Sequence, residues 1–348
     1  MPDASPSSVS SDAETTDRDP PPVVVSGIQP SGRLHLGNYF GAIRQHIDLH
    51  TRHEAYYFIV NYHAMTTVQD AETLRQHTLD VALDYLALGF DPEEAALFVQ
   101  SDVPEVTELM WMFFNLLPTS RLEKAVAYKE KVEAGLTPNA GLFNYPVLQA
   151  ADILAYGGTT VPVGADQKQN LEIARDIARS FNRTFAAEED PLFPVPEPYI
   201  LDDVAVVPGI DGRKMSKSYG NTIGIFDEGS ELKDKVMSIV TDSTPLDAPK
   251  DPESCNVFSL IRLVADAETQ AEIADKYRAG GYGYGHAKKE LLGLLEDTFA
   301  EARERRKRLA ERPGYIRDVL HHGAQQARAK VEPIMAAVRD ATGVVVTD

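Results

Sequence analysis

Cysteine is nearly absent from this sequence: Cys255 stands alone among 348 residues. A disulfide scaffold, and any metal centre built only from cysteines of one chain, are thereby excluded. No apolar run approaches the ~20 residues that a membrane span needs, so no membrane partner is expected. Met1 to Pro22 lacks the apolar stretch of a secretory leader, which makes a cytoplasmic location the expectation. Basic residues are short as well, with 34 Lys and Arg against 53 Asp and Glu and a formal net charge of -19. Residues 1–22 hold five acids against Arg18, so most of the excess lies on the body of the chain. Such a chain repels phosphates at long range, and a nucleic-acid partner must be met by a local basic patch.

What is present suits a globular protein of about two domains, with 43% hydrophobic and 25% charged residues. Residues 1–21 read as a disordered acidic tail, poor in bulky apolar side chains. From Pro22 onward strands alternate with helices. Strands are expected at 22–25, 55–61, 96–100, 160–163 and around 204–207, and helices at 38–50, 71–88, 105–117, near 146–156 and at 167–182. This alternation predicts an α/β domain over 22–208, a Rossmann-like doubly wound parallel sheet. A loop and linker follow over 209–228. Residues 229–348 carry helical periodicity and read as an all-helical domain, with a last short strand at Val344–Val346 as the chain returns.

Two segments carry the chemistry. The first, Ser26-Gly27-Ile28-Gln29-Pro30-Ser31-Gly32-Arg33-Leu34-His35-Leu36-Gly37-Asn38, leaves the first strand and enters the first helix. Its glycines allow close backbone approach to a ligand, and a helix N-terminus favours phosphate. It matches neither a Walker A loop nor GxGxxG. The second, Gly212-Arg213-Lys214-Met215-Ser216-Lys217-Ser218-Tyr219-Gly220-Asn221, sets two lysines and two serines in a glycine-flanked loop that can close on a polyphosphate. Taken alone, the first could be an ordinary turn and the second a solvated basic loop; the pair, on one α/β domain, is specific.

The pair resembles the HIGH-like and KMSKS signatures of class I aminoacyl-tRNA synthetases, and more narrowly those of the bacterial tryptophanyl branch. The resemblance spans about residues 23–343. It includes Asn61-Tyr62-His63-Ala64, Tyr128-Lys129-Glu130-Lys131, Tyr145 to Leu154 and Val161 to Gln169. It implies an enzyme that joins L-tryptophan to tRNA(Trp) using ATP, with magnesium carried mainly by the phosphates. Gln29, Pro30, Ser31, Gly37, Asn38, Gly164, Ala165, Asp166 and Val206 would line the nucleotide, together with Lys214, Met215, Ser216, Lys217 and Ser218. Ala165 stands where the family usually has Glu, so contact there would be through backbone. His35, Asn38, Lys131, Lys214 and Lys217 would be catalytic.

Asp152 would accept the indole N–H, with His63, Gln149, Gln167 and Tyr145 around the amino acid. Gln149–Asp152 alone cannot separate indole from phenol, which keeps a tyrosyl enzyme as the rival reading. A paralogue kept for regulation is a further alternative. Some members of the branch bind an iron–sulfur cluster through four cysteines; Cys255 matches the first position and Gly281–Lys288 offers none, so no cluster is expected. The dense run Arg303, Arg305, Arg306, Lys307 and Arg308 reads either as an RNA footprint or as a solvated helix face partly neutralised by Glu301, Glu304 and Glu311. The family implies a homodimer, and Met110-Trp111-Met112-Phe113-Phe114 is a candidate interface.

Overall fold

The computed structural model describes residues 22–133, 135, 137–162, 164, 167–199 and 207–345. Five parallel strands form one sheet in the order β3-β2-β1-β4-β5: β1 Val23–Ile28, β2 Glu54–Ile59, β3 Ala96–Val99, β4 Thr160–Pro162 and β5 Glu197–Tyr199. The order reverses between β1 and β4, and ligands of such sheets bind beyond the carboxyl ends of the strands at that switch point. The first signature segment departs from there.

Helices cover both faces. α1 (Leu36–Asn38), a π-helical turn (Tyr39–Ile43) and α2 (Arg44–Leu49) follow β1 as one broken helix. After β2 come α3 (Asn61–Ala64) and α4 (Ala71–Ala87). After β3 come α5 (Glu105–Phe114), α6 (Thr119–Leu122), α7 (Val126–Glu133) and α8 (Ala140–Leu154), and after β4 comes α9 (Lys168–Phe185). α10 (Gly229–Ser238), α11 (Asn256–Val264), α12 (Ala267–Ala279), α13 (Tyr284–Ala310) and α14 (Pro313–Thr342) complete the chain.

Strand alternation sorts the core into two layers. Val24, Tyr57 and Ile59 face α4 and run on into a core shared with α10, α11, α12 and α13. Val25, Phe58 and Phe98 face α5, α8 and α9, and Ala324, Ala327, Val331 and Met335 of α14 join them. α14 therefore returns to the sheet and lies along β3. Gly323 makes this approach possible: a Cβ there would sit 2.2 Å from the Leu97 carbonyl oxygen.

The elements differ from the sequence expectation in definable places. α8 begins at Ala140 and not at 146, because Asn139 caps it by accepting the Leu142 N–H at 2.8 Å and Pro146 is carried inside the helix. The strand expected around 204–207 lies, except for Val207, outside the described residues. Val344 and Val345 form no strand, and Val346 lies outside the described residues.

Candidate active site

The first segment is built to present one imidazole. Gly32 takes φ +85, a left-handed turn open to glycine. His35 then caps α1, its backbone N–H donating to Asn38 Oδ1 at 3.1 Å. The His35 ring is buried, and its Nδ1 has no hydrogen-bond partner in the protein. Burial, with the nearby Lys217 charge second, lowers its pKa to about 4. It is thus a neutral imidazole at pH 7, with one N–H to donate and one lone pair. Gly37 leaves room for this ring: a Cβ there would come within 3.0 Å of His35 and 3.3 Å of Met215.

The second segment folds around Asn221, a buried residue inside the quoted motif whose role sequence reasoning missed. Its Oδ1 accepts the Ser216 N–H at 2.8 Å, and its Nδ2 donates to Asp211 Oδ1 at 2.7 Å and to Lys214 O at 3.1 Å. Met215 is buried and its Sδ accepts the Gly37 N–H at 3.4 Å. Lys217 Nζ donates to Ser31 O at 2.7 Å, Ser31 Oγ at 3.1 Å and Gly32 O at 3.1 Å. Lys214 is exposed, and the Ser216 and Ser218 hydroxyls pair at 2.9 Å.

Backbone bonds then lock the two segments together. Leu36 N–H donates to Ile223 O at 3.0 Å, and Ile225 N–H donates to Leu34 O at 3.2 Å. His35, Ser31, Gly37, Asn38, Met215 and Lys217 are brought to one place. Gln29 is exposed and Pro30 buried in the same turn.

A second cluster lies across α3, β3 and α8. Asp152, 2% exposed, is held by three contacts. His63 Nε2 stands 2.9 Å from its Oδ2, and Gln100 Nε2 donates to Oδ1 at 2.8 Å and Oδ2 at 2.7 Å. Gln100, fully buried just past β3, was missed by sequence reasoning because nothing near it signals a partner on a helix 52 positions later. His63 is thereby engaged with Asp152. Its ring meets that of Tyr145 edge-on at 6.2 Å, and the Tyr145 hydroxyl accepts from Asn170 Nδ2 at 3.1 Å. Asn170 Nδ2 also donates to Gln167 Oε1 at 2.9 Å. Gln149 is half-buried one helical turn before Asp152, on the same face. A buried carboxylate with about four acceptor sites still has room for another donor.

Ala165, Asp166 and Val206 lie outside the described residues, as does the side chain of Lys131 on α7. Gly164 is exposed, its carbonyl accepting the Gln167 N–H at 3.0 Å.

Three members of the basic run on α13 are turned inward, and Lys307 and Arg308 stay exposed. Arg303 is buried and donates to the carbonyls of Ile225, Leu295 and Glu296; Arg305 donates to Ala87 O; Arg306 pairs with Asp84. Lys307 is held by Glu228 and Glu304, which leaves Arg308 as the exposed member without an ion pair among the described residues. Cys255 is a buried residue preceding α11, its Sγ 3.4 Å from the Tyr277 hydroxyl. On α5, Leu109 and Phe113 are buried while Trp111 is 70% exposed, so the apolar run serves the core with one side only.

Comparison with known proteins bears on this arrangement. The family described as tRNA synthetases class I (W and Y) matches residues 17–300. A tryptophan--tRNA ligase of Fusobacterium nucleatum is 51% identical over 304 residues, 87% of this chain and 92% of that one. One from Rhodopirellula baltica is 50% identical over 316 residues, 91% of this chain and 98% of that one. The crystal structure of a Campylobacter jejuni tryptophanyl-tRNA synthetase complexed with ADP and tryptophan superposes with a TM-score of 0.85 at 47% identity, covering 92% and 99% of the two chains. The chain belongs to the class I tRNA synthetases, in their bacterial-type tryptophanyl branch.

Proposed function

We propose that this enzyme activates L-tryptophan with ATP and transfers it to the 3′-terminal adenosine of tRNA(Trp). The observation that carries the reading is the locked pair of signature segments, with a neutral His35 on one and Lys217 of the other reaching across. In the first step a tryptophan carboxylate oxygen attacks the α-phosphorus of ATP. The bond from that phosphorus to the bridging oxygen breaks, and pyrophosphate leaves. The carboxylate is already ionised at pH 7, so no protein base is needed. Catalysis is alignment plus stabilisation of charge on the departing group. The His35 N–H and the Asn38 amide serve one side of the phosphate chain; Lys131, Lys214 and Lys217 serve the other. Magnesium enters as part of the ATP substrate, since it holds its waters and takes few protein ligands. In the second step a ribose hydroxyl of the terminal adenosine attacks the adenylate carbonyl carbon, and AMP leaves.

Asp152 selects the side chain. Its carboxylate is oriented by Gln100 and His63 and offers its remaining lone pair to the indole N–H. Phenylalanine would leave that acceptor unpaired at a cost of ~1–3 kcal/mol. Tyr145, Gln149 and Gln167 would border the ammonium and carboxylate ends. Gln29, Pro30, Ser31, Gly37, Gly164, Ala165, Asp166, Val206, Met215, Ser216 and Ser218 are assigned to the nucleotide. Residues 229–348 are assigned to tRNA recognition. A homodimer is part of the proposal, supported by the outward Trp111 with the Phe114 ring 6.4 Å away.

Equilibrium binding of tryptophan and tyrosine to wild type and Asp152→Asn tests the pocket. Wild type should prefer tryptophan. The variant should bind it at least tenfold more weakly, because an amide N–H₂ would face Gln100 or His63 donors. A wild-type preference for tyrosine would make Gln149–Asp152 a phenol site and overturn the assignment.

A further inference from the structure

Asp84 sits on α4 with its side chain fully buried, where the two signature segments meet α13. Its Oδ2 accepts the Leu34 N–H at 3.4 Å, one residue before His35. Its Oδ1 accepts Arg306 Nε at 2.6 Å, and Asp80 lies 3.7 Å from the same guanidinium. The other face of Arg306 stacks over Phe226 at 5.0 Å. One turn earlier on α13, Arg303 Nε donates to Ile225 O at 3.1 Å. The Ile225 N–H donates to Leu34 O, one of the hydrogen bonds that tie the first segment to the stretch just after the second. α13 therefore grips this junction on both sides, the first segment through the Asp84 carboxylate and the stretch after the second directly.

Stability alone is a weak reason for this construction. A buried ion pair contributes little beyond what well-packed apolar side chains of the same volume would give, whereas breaking one leaves a charge stranded. What a directional pair adds is geometry. Its two oxygens point at two different elements, and a shift of α13 against α4 is felt at Leu34 and Ile225 together.

We propose that Asp84 and Arg306, helped by Arg303, are positioning residues for ATP activation. They fix Leu34–Leu36 against Ile223–Ile225 and thereby set His35 and Lys217 against the triphosphate. The inference rests on the ATP roles given to His35 and Lys217 above. Neither Asp84 nor Arg306 touches Asp152, His63 or Gln100, so the tryptophan side is left alone.

The test uses the full chain with Asp84→Asn, Arg306→Met, Arg306→Lys and the double variant Asp84→Asn/Arg306→Met. Calorimetry gives affinities for tryptophan and for a non-hydrolysable ATP analogue, and single-turnover experiments give the rate of adenylate formation. Misplacement of reacting groups by about an ångström costs on the order of 100-fold in rate. Asp84→Asn and Arg306→Met should each slow adenylate formation by about 10- to 100-fold, with tryptophan affinity within about twofold of wild type. Arg306→Lys should recover part of the rate, and the double variant should be no worse than the poorer single one. Equal weakening of tryptophan and ATP handling would overturn the proposal, as would additive losses in the double variant. Unchanged kinetics in folded Asp84→Asn would do the same, and that near-isosteric variant decides the matter if Arg306→Met does not fold. A wild type that binds the analogue but forms no adenylate overturns the activation reading instead, while the analogue affinity of each variant still tests the clasp. A wild type that binds no analogue overturns both.

Discussion

Removing the Lys217 charge should separate chemistry from amino-acid binding. Lys217→Met keeps the aliphatic stem and deletes the ammonium that reaches Ser31 O, Ser31 Oγ and Gly32 O. Two of these contacts are exposed and one is part-buried. Their loss should therefore cost the fold only ~1–2 kcal/mol in all, at the ~0.5–1.5 kcal/mol typical of one net hydrogen bond with discount for solvent. In the activated complex the same ammonium faces charge developing on pyrophosphate in a partly desolvated site. Deleting a donor aimed at such charge typically costs ~2.7–4 kcal/mol, or about 10²–10³-fold in rate. Tryptophan affinity should hold within about twofold, because Lys217 makes no contact with Asp152, His63 or Gln100. Single-turnover pyrophosphate release gives the first quantity and equilibrium tryptophan binding the second. A rate loss matched by an equal loss of tryptophan affinity would refute the reasoning, and so would a rate within threefold of wild type.

Other consequences follow from packing and burial. Gly323→Ala would drive a Cβ to 2.2 Å from Leu97 O and 2.7 Å from Leu97 C, and backbone cannot move aside as a side chain can; α14 should lift from β3, lowering stability by ~3 kcal/mol or more in urea unfolding. His46 is fully buried between Ser26 Oγ at 3.0 Å and Tyr85 Oη at 2.9 Å, and burial drives its pKa down to about 3. Its contribution to stability is complete above pH ~6.5 and falls by ~1.4 kcal/mol per unit as pH drops from there towards 3. Asp84, raised to about 6 chiefly by burial, gives the opposite slope between its ordinary carboxylate range and pH 6, so the comparison must be between proteins. Between pH 7.0 and pH 5.5 stability should fall by about 1.3 kcal/mol more in wild type than in His46→Gln, nearly all of it below pH ~6.5; equal losses in the two proteins would contradict a neutral buried His46.

The signature segments were legible because their chemistry is local: glycines, a histidine at a helix start and paired lysines lie within a dozen residues of one another. Four of the five strands were legible because β-branched and aromatic runs such as Val23–Val25 and Ala55–Ile59 alternate with helical stretches, whereas β5, Glu197–Tyr199, lies in and beside a proline-rich stretch that gives no strand signal. What escaped depends on contacts made at a distance. Gln100 becomes the orienting partner of Asp152 only when β3 is placed beside α3 and α8. Ser31 and Gly32 become the seat of Lys217 only when the two segments meet. The inward turn of the basic run had a signal that the charge count hid. Ala287, Leu291, Leu295, Phe299 and Arg303 recur every four residues on α13 and are all buried, which puts Arg303 on the core face. Spacing, read before charge, would have separated Arg303 from Arg308. The π-helical turn at Tyr39–Ile43 has no such signal; there Tyr39 and Phe40 meet Phe299 edge-on at 5.1 and 6.4 Å.

The most direct test of the account is ATP–pyrophosphate exchange measured in parallel with tryptophan, with tyrosine and with no amino acid. Exchange with tryptophan, at least a hundredfold above the tyrosine and blank reactions, is the predicted result. Exchange driven by tyrosine, or none with either amino acid from folded protein that binds ATP, would contradict it.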